Sequence, residues 1–284
     1  MKIILSRKGL DSRSGGFPSP IFSNGKMVPL PVPDKQSRIK YGDVRMNGYD
    51  LGGLVAALSR GAMTSDDRAH LDPDLVSDSL DRGSEWRPFF GQAGVSQDHL
   101  KKEGVGANDL FIFFGPFQNV LNVGGEMVFN HNDRERHVMW GWMQADAAIE
   151  VNTDHEKDFQ WVHYNLHYKK HKESNYTLYL AKQFLNLPGM KTEHTGAGIF
   201  RSFGADLQLT NPDGDKVNDW RLPKWFYPRE GAKPLTYHGE INRWSRGGQY
   251  CYLDSVSRGQ EFVLDCAEYP ESIGWVHDLI SRFG

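Results

Sequence analysis

Residues 109–117, DLFIFFGPF, form a continuous apolar run that is short enough for a buried β-strand and is bounded by turn residues. A second run, HVMWGWMQAD at residues 137–146, has the same character. The connection between the runs, residues 119–136, is rich in glycine and charge. We therefore interpret the two runs as adjacent antiparallel strands.

Other elements are expected around this pair. Helices are predicted at 51–58, at 95–103 with Ser96 as N-cap, and at 271–282, where apolar residues repeat at helical spacing. Further strands are predicted at 2–6, 175–181, 249–253 and 261–264. Because the chain has no internal repeat and no low-complexity linker, we expect one compact α/β (mixed α+β) domain over residues 1–284. It should have a central mixed sheet, a barrel-like strand pair and long loops.

Composition narrows the class of protein. The 284 residues, 39% hydrophobic and 24% charged, suit a packed core. The net charge of −3 gives no global basic field, so contact with nucleic acid requires a local patch. No apolar run approaches the ~20 residues that span a bilayer, and no signal core is present, so we expect a cytoplasmic protein without membrane contact. Cys251 and Cys266 lack a CxxC pattern and are interpreted as reduced core thiols.

The first 34 residues concentrate groups that could form a site. A predicted strand delivers Arg7 and Lys8, and the segment DSRS at 11–14 leads to Gly15 and Gly16. Glycine pairs allow positive φ and close backbone approach, while the prolines that follow fix the turn. Loops directly after strands are frequent places for sites. An ordinary surface turn is the alternative interpretation.

Neither a metal nor a nucleotide cofactor is indicated. His163, His167 and His171 are spaced by four and would share one face of a helix, as metal-binding pairs do. Their segment is a weak helix former, however, and no cysteine or paired carboxylate completes a ligand set, so a half-exposed polar surface is favoured. The chain has no P-loop, no strand-coupled GxGxxG and no GxSxG. We therefore assign no cofactor. The sequence also gives no evidence of an obligate protein partner.

Two further groups could act on a ligand. Asp72 and Asp74 flank Pro73 and could offer a carboxylate to a substrate, although capping of the following segment is the commoner role. Gln92 and Gln144 follow glycine and aromatic residues. An amide can form two hydrogen bonds with the edge of a base, or it can satisfy backbone groups in a tight turn.

These motifs, in this order, resemble the family called nucleotide modification-associated domain 3. The similarity is carried by LSRKGLDS at 5–12 with GG at 15–16 and PSP at 18–20, LPVPD at 30–34, HLDPDL at 70–75, 109–115, WGWMQ at 140–144, 196–200, 220–228 and RGQEF at 258–262. It covers nearly the whole chain and implies a modified nucleotide in DNA as substrate, within the modified-base systems of phages and bacteria. The pairing of 108–114 with 138–144 is also similar to the central strands of barrel domains that read modified bases.

The resemblance leads to the hypothesis of a DNA glycosylase that excises a modified base from phage DNA in anti-phage defence. Such an enzyme takes the base out of the stack and needs a carboxylate that stabilises charge on the sugar and orients water. That carboxylate is expected to be Asp11, with Asp74 as second choice. The nucleic-acid contacts are expected from Arg7, Lys8, Ser12, Arg13, Gly15, Gly16, Phe90, Gln92, Trp140, Trp142 and Gln144. A non-enzymatic reader of modified bases is the main alternative, and an enzyme of base-modification synthesis is the third.

Overall fold

The computed structural model describes residues 1–10, 15–151, 158–165 and 175–284. This part of the chain contains three α-helices: α1 (Leu51–Leu58), α2 (Gly94–Lys102) and α3 (Glu271–Phe283). No helix in the described ranges is long and apolar enough to cross a membrane. Helices α1 and α3 lie where they are predicted. Helix α2 begins one residue early, with Ala93 as N-cap, so the prediction of Ser96 as the cap is wrong.

The described part of the chain contains sixteen β-strands. In chain order they are β1 (Lys2–Arg7), β2 (Ser19–Ile21), β3 (Val32–Pro33), β4 (Arg45–Met46), β5 (Tyr49–Asp50), β6 (Ala69–His70), β7 (Phe89–Gln92), β8 (Leu110–Val123), β9 (Glu126–Phe129), β10 (Arg136–Glu150), β11 (Thr177–Ala181), β12 (Ala197–Ile199), β13 (Asp219–Pro223), β14 (Trp244–Gly247), β15 (Tyr250–Asp254) and β16 (Glu261–Asp265). Short pairs form between β3 and β6 and between β4 and β5. Strands β13, β15 and β14 form a separate antiparallel sheet.

Nine strands form one mixed sheet around the pair that the sequence predicts. Its order is β16-β1-β8-β10-β11-β7, with β2 and β9 also paired to β8 and β12 to β10. Strands β8 and β10 are antiparallel, with Arg136 opposite Phe117 and Gln144 opposite Leu110. Strand β1 runs parallel to β8, whereas its other neighbour, β16, is antiparallel. The predicted mixed α+β class and central mixed sheet are confirmed.

The large sheet curls until its two edges approach each other. Strands β7 and β16 lie at opposite ends of the strand order, yet Gln92 Nε2 donates a hydrogen bond to Glu261 Oε1 at 2.6 Å. Among the described strands no backbone ladder joins these edges, so the sheet does not form a closed barrel. The strand pair β8 and β10 thus belongs to an open, curled sheet whose edges meet through side chains.

Aromatic rings fill the inside of the curl. Phe90, Phe111, Phe113 and Tyr179 are fully buried, and the ring of Phe90 contacts the other three with centroids 5.2–5.9 Å apart. Such pairs stabilise a core beyond the area that they bury. The high aromatic content therefore serves the core first. The two cysteines are also buried and free, as predicted.

Candidate functional site

A cavity of about 230 Å³ opens beside the ends of β1 and β7. Small-molecule pockets are typically about 300–1,000 Å³, so this cavity suits a ligand smaller than a drug molecule. Its polar wall is formed by Arg7, Lys8, His70, Asp72, Gln92 and Trp140. Prolines, Leu30 and Met46 form the apolar part of the wall.

The main chain at Lys8 is held in place by the two central strands. Its N–H donates to the carbonyl of Phe114 at 2.8 Å, which continues the parallel pairing of β1 with β8. Its carbonyl oxygen accepts a hydrogen bond from Trp140 Nε1 at 3.3 Å. A Cβ on Gly115 would lie 2.4 Å from the same oxygen, so only glycine permits this approach. The side chain of Lys8 is therefore delivered to the cavity from a fixed point.

A buried carboxylate fixes two of the polar groups that line the cavity. Glu261, 1% exposed, accepts from Lys8 Nζ at 3.0 Å and from Gln92 Nε2 at 2.6 Å, both at Oε1. Its second oxygen, Oε2, is buried and has no hydrogen-bond partner among the described residues. Lys8 Nζ also lies 4.6 Å from the ring centroid of Phe90, a cation–π distance. The ammonium group and the amide are consequently held together at one wall.

An acid–base pair lies on another wall. The pairing of β3 with β6 places His70 between two carboxylates, with Nδ1 3.5 Å from Asp34 Oδ2 and Nε2 3.6 Å from Asp72 Oδ2. Asp72 Oδ1 accepts from the N–H of Gly91 at 2.9 Å. Burial by itself lowers the pKa of His70, but the contacts with Asp72 and Asp34 outweigh burial and raise that pKa above its ordinary value. His70 and Asp72 can therefore exchange a proton inside the cavity wall.

The structure brings four of the predicted nucleic-acid contacts to this cavity: Arg7, Lys8, Gln92 and Trp140. Arg7 donates to the carbonyl oxygens of Ser257 at 3.0 Å and Val256 at 3.4 Å, which holds its guanidinium against the loop after β15. Phe90 lies one layer deeper, fully buried beneath Lys8. Its ring thus supports Lys8 and does not line the cavity.

Trp142 and Gln144 lie farther along β10, away from this cavity. Trp142 donates from Nε1 to the carbonyl of Thr195 at 3.1 Å and lines a separate groove. Gln144 is fully buried: its Nε2 donates to the carbonyls of Asn108 and Asn186, and its Oε1 accepts from the N–H of Asn186. The amide of Gln144 therefore joins backbone segments, as the turn interpretation expects.

Asp74, the second candidate for the catalytic carboxylate, lies in a buried ion pair outside the lining of the cavity. It is 1% exposed and accepts two hydrogen bonds from the guanidinium of Arg82 and one from the hydroxyl of Tyr164. Burial raises the pKa of Asp74, and the contacts with Arg82 and Tyr164 oppose that rise. This geometry joins the 70–82 segment to Tyr164.

Several predicted residues are not tested by the described geometry. Asp11, Ser12 and Arg13 lie outside the described residues, as do His167 and His171. Gly15 and Gly16 have positive φ values but do not line the cavity. Among the described residues no group of three or more histidine, cysteine, aspartate or glutamate side chains is arranged to hold a metal ion.

A larger groove, of about 1,460 Å³, lies next to the cavity. Residues 70–73 line the cavity, and residues 75–78 of the same segment line the groove. Arg87 and Lys182 lie along the groove and are neutralised by Asp146, at 2.9 Å and 3.8 Å. Lys26 and Arg201 are exposed on the groove and form no ion pair among the described residues. This part of the groove offers positive charge to a ligand.

The sequence interpretation missed His70, which lines the cavity, and Glu261 and Asp34, which pair with residues of its wall. Each had a local signal. Glu261 is a charged residue directly before the apolar run Phe262–Leu264, and His70 lies two residues before Asp72 in a segment with alternating titratable residues. The partners of these residues, however, are distant in the sequence. Gln92 and Glu261 are 169 positions apart, and Asp34 and His70 are 36 positions apart.

Comparison with known proteins identifies one family. No curated protein and no solved structure matches the chain. The family model described as nucleotide modification associated domain 3 matches residues 2–265. This range includes every residue named above for the cavity and its supporting contacts. The chain belongs to the nucleotide modification associated domain 3 family.

Proposed function

We propose that the protein binds a modified base flipped out of DNA and hydrolyses its N-glycosidic bond. The observation that carries the proposal is a single cavity of base size that combines fixed hydrogen-bond donors, Lys8 and Gln92, with an acid–base pair, Asp72 and His70. Membership of a family associated with modified nucleotides supports the choice of ligand. Defence against phage DNA that carries such bases is the setting in which this activity is useful.

The binding half of the proposal rests on the shape and polarity of the cavity. Trp140 lines it with an indole that is anchored through Nε1, and Leu30 and Met46 supply apolar surface. A flipped base is held by such flat and apolar surfaces and is distinguished by hydrogen bonds to its edge. Lys8 and Gln92 supply those hydrogen bonds from fixed positions.

The chemical half assigns the carboxylate to Asp72. In the proposed reaction Asp72 accepts a proton from a water molecule, whose oxygen forms a bond to C1′ of the sugar as the bond from C1′ to the base breaks. His70 gives its proton to the departing base. Transfer of the proton from Asp72 to His70, whose Nε2 lies 3.6 Å from Asp72 Oδ2, restores both groups.

Asp11 stays a second candidate for this role. It follows Lys8 by three residues in the sequence, and Lys8 lines the cavity. Asp74 is better explained as the partner of Arg82, because its oxygens are occupied by Arg82 and Tyr164. The test of the proposal therefore compares substitutions to asparagine at Asp72 and at Asp11.

The experiment is incubation of the protein with oligonucleotides that carry modified bases, followed by detection of abasic sites and of released base by mass spectrometry. We expect wild type to release base from modified DNA only. Asp72→Asn should keep DNA binding and lose release by roughly a hundredfold or more, the scale of general-base catalysis. Loss of release in Asp11→Asn with full activity in Asp72→Asn would move the role to Asp11.

Binding without cleavage is a second candidate function. Its supporting observation is that Lys8 is already paired with Glu261, and His70 with Asp72 and Asp34, so the positive charges of Lys8 and His70 are compensated by the protein. A reader of modified bases needs such a pre-organised cavity and no activated water. Tight binding to modified DNA without abasic sites in wild type would establish this alternative.

A further inference from the structure

We infer that the cavity selects a base with a carbonyl group on the edge that faces Lys8 and Gln92, that is, a keto base of the uracil or hypoxanthine type. Glu261 sets this selectivity as a positioning residue, although it does not line the cavity itself. The inference rests on the proposed function, because it presumes that the cavity holds a base. It names the chemical class of that base.

The amide of Gln92 has one defined orientation. A carboxylate can only accept hydrogen bonds, so the group 2.6 Å from Glu261 Oε1 has to be the NH₂ of Gln92. The carbonyl oxygen of the amide accepts instead from the N–H of Ala93 at 3.2 Å. Gln92 is 3% exposed, so these contacts with the protein, and not contacts with solvent, set the orientation of its amide. The NH₂ of Gln92 keeps a second N–H that can donate to a ligand, while the carbonyl oxygen faces the main chain at Ala93.

The ammonium group of Lys8 carries three N–H donors and no acceptor. One donor is used by Glu261 Oε1 at 3.0 Å, and the ring of Phe90 faces the ammonium from 4.6 Å. The side chain of Lys8 is 12% exposed, and Lys8 lines the cavity. Lys8 and Gln92 thus present donors side by side, since both bind the same oxygen of Glu261.

Two adjacent donors require an acceptor on the ligand. Uracil and hypoxanthine carry a carbonyl at the position where cytosine and adenine carry an amino group, which would place donor against donor. An amino base would form no hydrogen bond at this wall and would also leave buried donors unpaired, so its binding free energy is less favourable on both counts. The cavity therefore discriminates between keto and amino bases through this wall.

Glu261 is the group that holds the amide of Gln92 in its donor orientation. In a Glu261→Gln variant the new side chain has both an amide NH₂ and a carbonyl, so Gln92 can turn its own carbonyl toward the cavity. A base with an amino group would then be accepted. The matched control is Glu103→Gln, because Glu103 also pairs with a lysine, Lys233 at 2.5 Å, outside the cavity.

The test measures binding of DNA oligonucleotides by fluorescence anisotropy, with one base varied at a fixed position. Two minimal pairs are used: 5-hydroxymethyluracil against 5-hydroxymethylcytosine, and hypoxanthine against adenine. For wild type and Glu103→Gln we expect the keto member of a pair to bind roughly tenfold tighter or more. For Glu261→Gln we expect that ratio to fall toward one, with thermal unfolding recorded to confirm folding.

Each outcome separates the inference from the function on which it rests. Equal or tighter binding of the amino member by wild type overturns the keto selectivity, whatever the behaviour of the variants. An unchanged ratio in folded Glu261→Gln overturns the role of Glu261. If wild type binds no member of either pair more tightly than ordinary DNA, the keto selectivity falls, while base release measured on modified phage DNA decides separately whether the proposed function stands.

Discussion

At the scale of single residues, two buried carboxylates illustrate how similar chemistry serves different ends. Asp74 is joined to Arg82 and Tyr164 and has no contact with the cavity. Glu261 holds Lys8 and Gln92 at the cavity wall and keeps one oxygen without a partner among the described residues. We therefore expect substitutions around Asp74 to change stability and substitutions around Glu261 to change ligand preference.

The ion pair at Asp74 gives a first prediction. Arg82→Met removes the cation and leaves a carboxylate that is 1% exposed, so the free energy of unfolding should fall by about 3–5 kcal/mol. Urea denaturation measures this free energy of unfolding. Lys40→Met, which breaks the exposed pair with Asp66, is the control and should cause no resolvable change. A small effect at Arg82 would show that the pair is not structural.

His70 gives a prediction for pH. Its pKa in the folded protein is raised above the ordinary value of 6.5, because Asp72 and Asp34 outweigh the effect of burial. The protonated form is thus favoured by folding. Its contribution to the free energy of unfolding should be complete below pH 6.5 and should be lost as pH rises through the folded pKa.

Denaturation of wild type and His70→Gln across pH 5–9 checks this sign. The stability difference between the two proteins should be largest at the acidic end and should shrink as pH rises. A difference that grows toward alkaline pH would mean that His70 is held neutral, and the proton transfer proposed for the departing base would lose its source.

At the scale of elements, local pattern predicts much and misses the contacts that build the cavity. The strands at 109–117 and 137–146, helix 51–58 and the last helix follow from runs and periodicity. The curl that brings Gln92 to Glu261 joins residues 169 positions apart, and no local pattern encodes it. Gln92 and Gln144 have similar neighbours in the sequence, so local pattern does not distinguish them, yet only Gln92 lines the cavity.

The close approach of β1 to β8 gives a prediction at this scale. Gly115→Ala places a Cβ 2.4 Å from the carbonyl oxygen of Lys8, so the end of β1 has to move. We expect a loss of about 1–3 kcal/mol of stability, together with weaker binding of modified DNA by roughly tenfold or more. Thermal unfolding and anisotropy measure the two effects.

The control for this substitution is Gly83→Ala, because a Cβ there meets no atom within 4 Å. It should leave both stability and DNA binding close to wild type. If folded Gly115→Ala binds modified DNA as wild type does, the position of Lys8 is not important for the ligand.

At the scale of the whole molecule, the proposed function predicts that DNA lies along the groove next to the cavity. Although the net charge of the chain is −3, two exposed cationic residues, Lys26 and Arg201, lie on the groove. If these residues contact phosphates beside the flipped base, Lys26→Ala combined with Arg201→Ala should weaken binding to all DNA sequences. The slope of log K against log salt should become less steep by roughly 1.8, which is about 0.9 for each phosphate contact removed.

The matched control for the groove is Lys216→Ala combined with Arg246→Ala, which removes one exposed lysine and one exposed arginine outside the groove. Its salt dependence should equal that of wild type. Equal slopes for the two double variants would place the DNA elsewhere on the surface.

The proposed function requires that the cavity beside Lys8 holds the modified base. The most direct measurement is a crystal structure of the Asp72→Asn protein with an oligonucleotide that carries a modified base. We expect the base outside the stack, beside Trp140, with a carbonyl oxygen within hydrogen-bond distance of Lys8 Nζ and Gln92 Nε2. A base bound elsewhere on the protein, or still stacked in the duplex with the cavity empty, would contradict the claim.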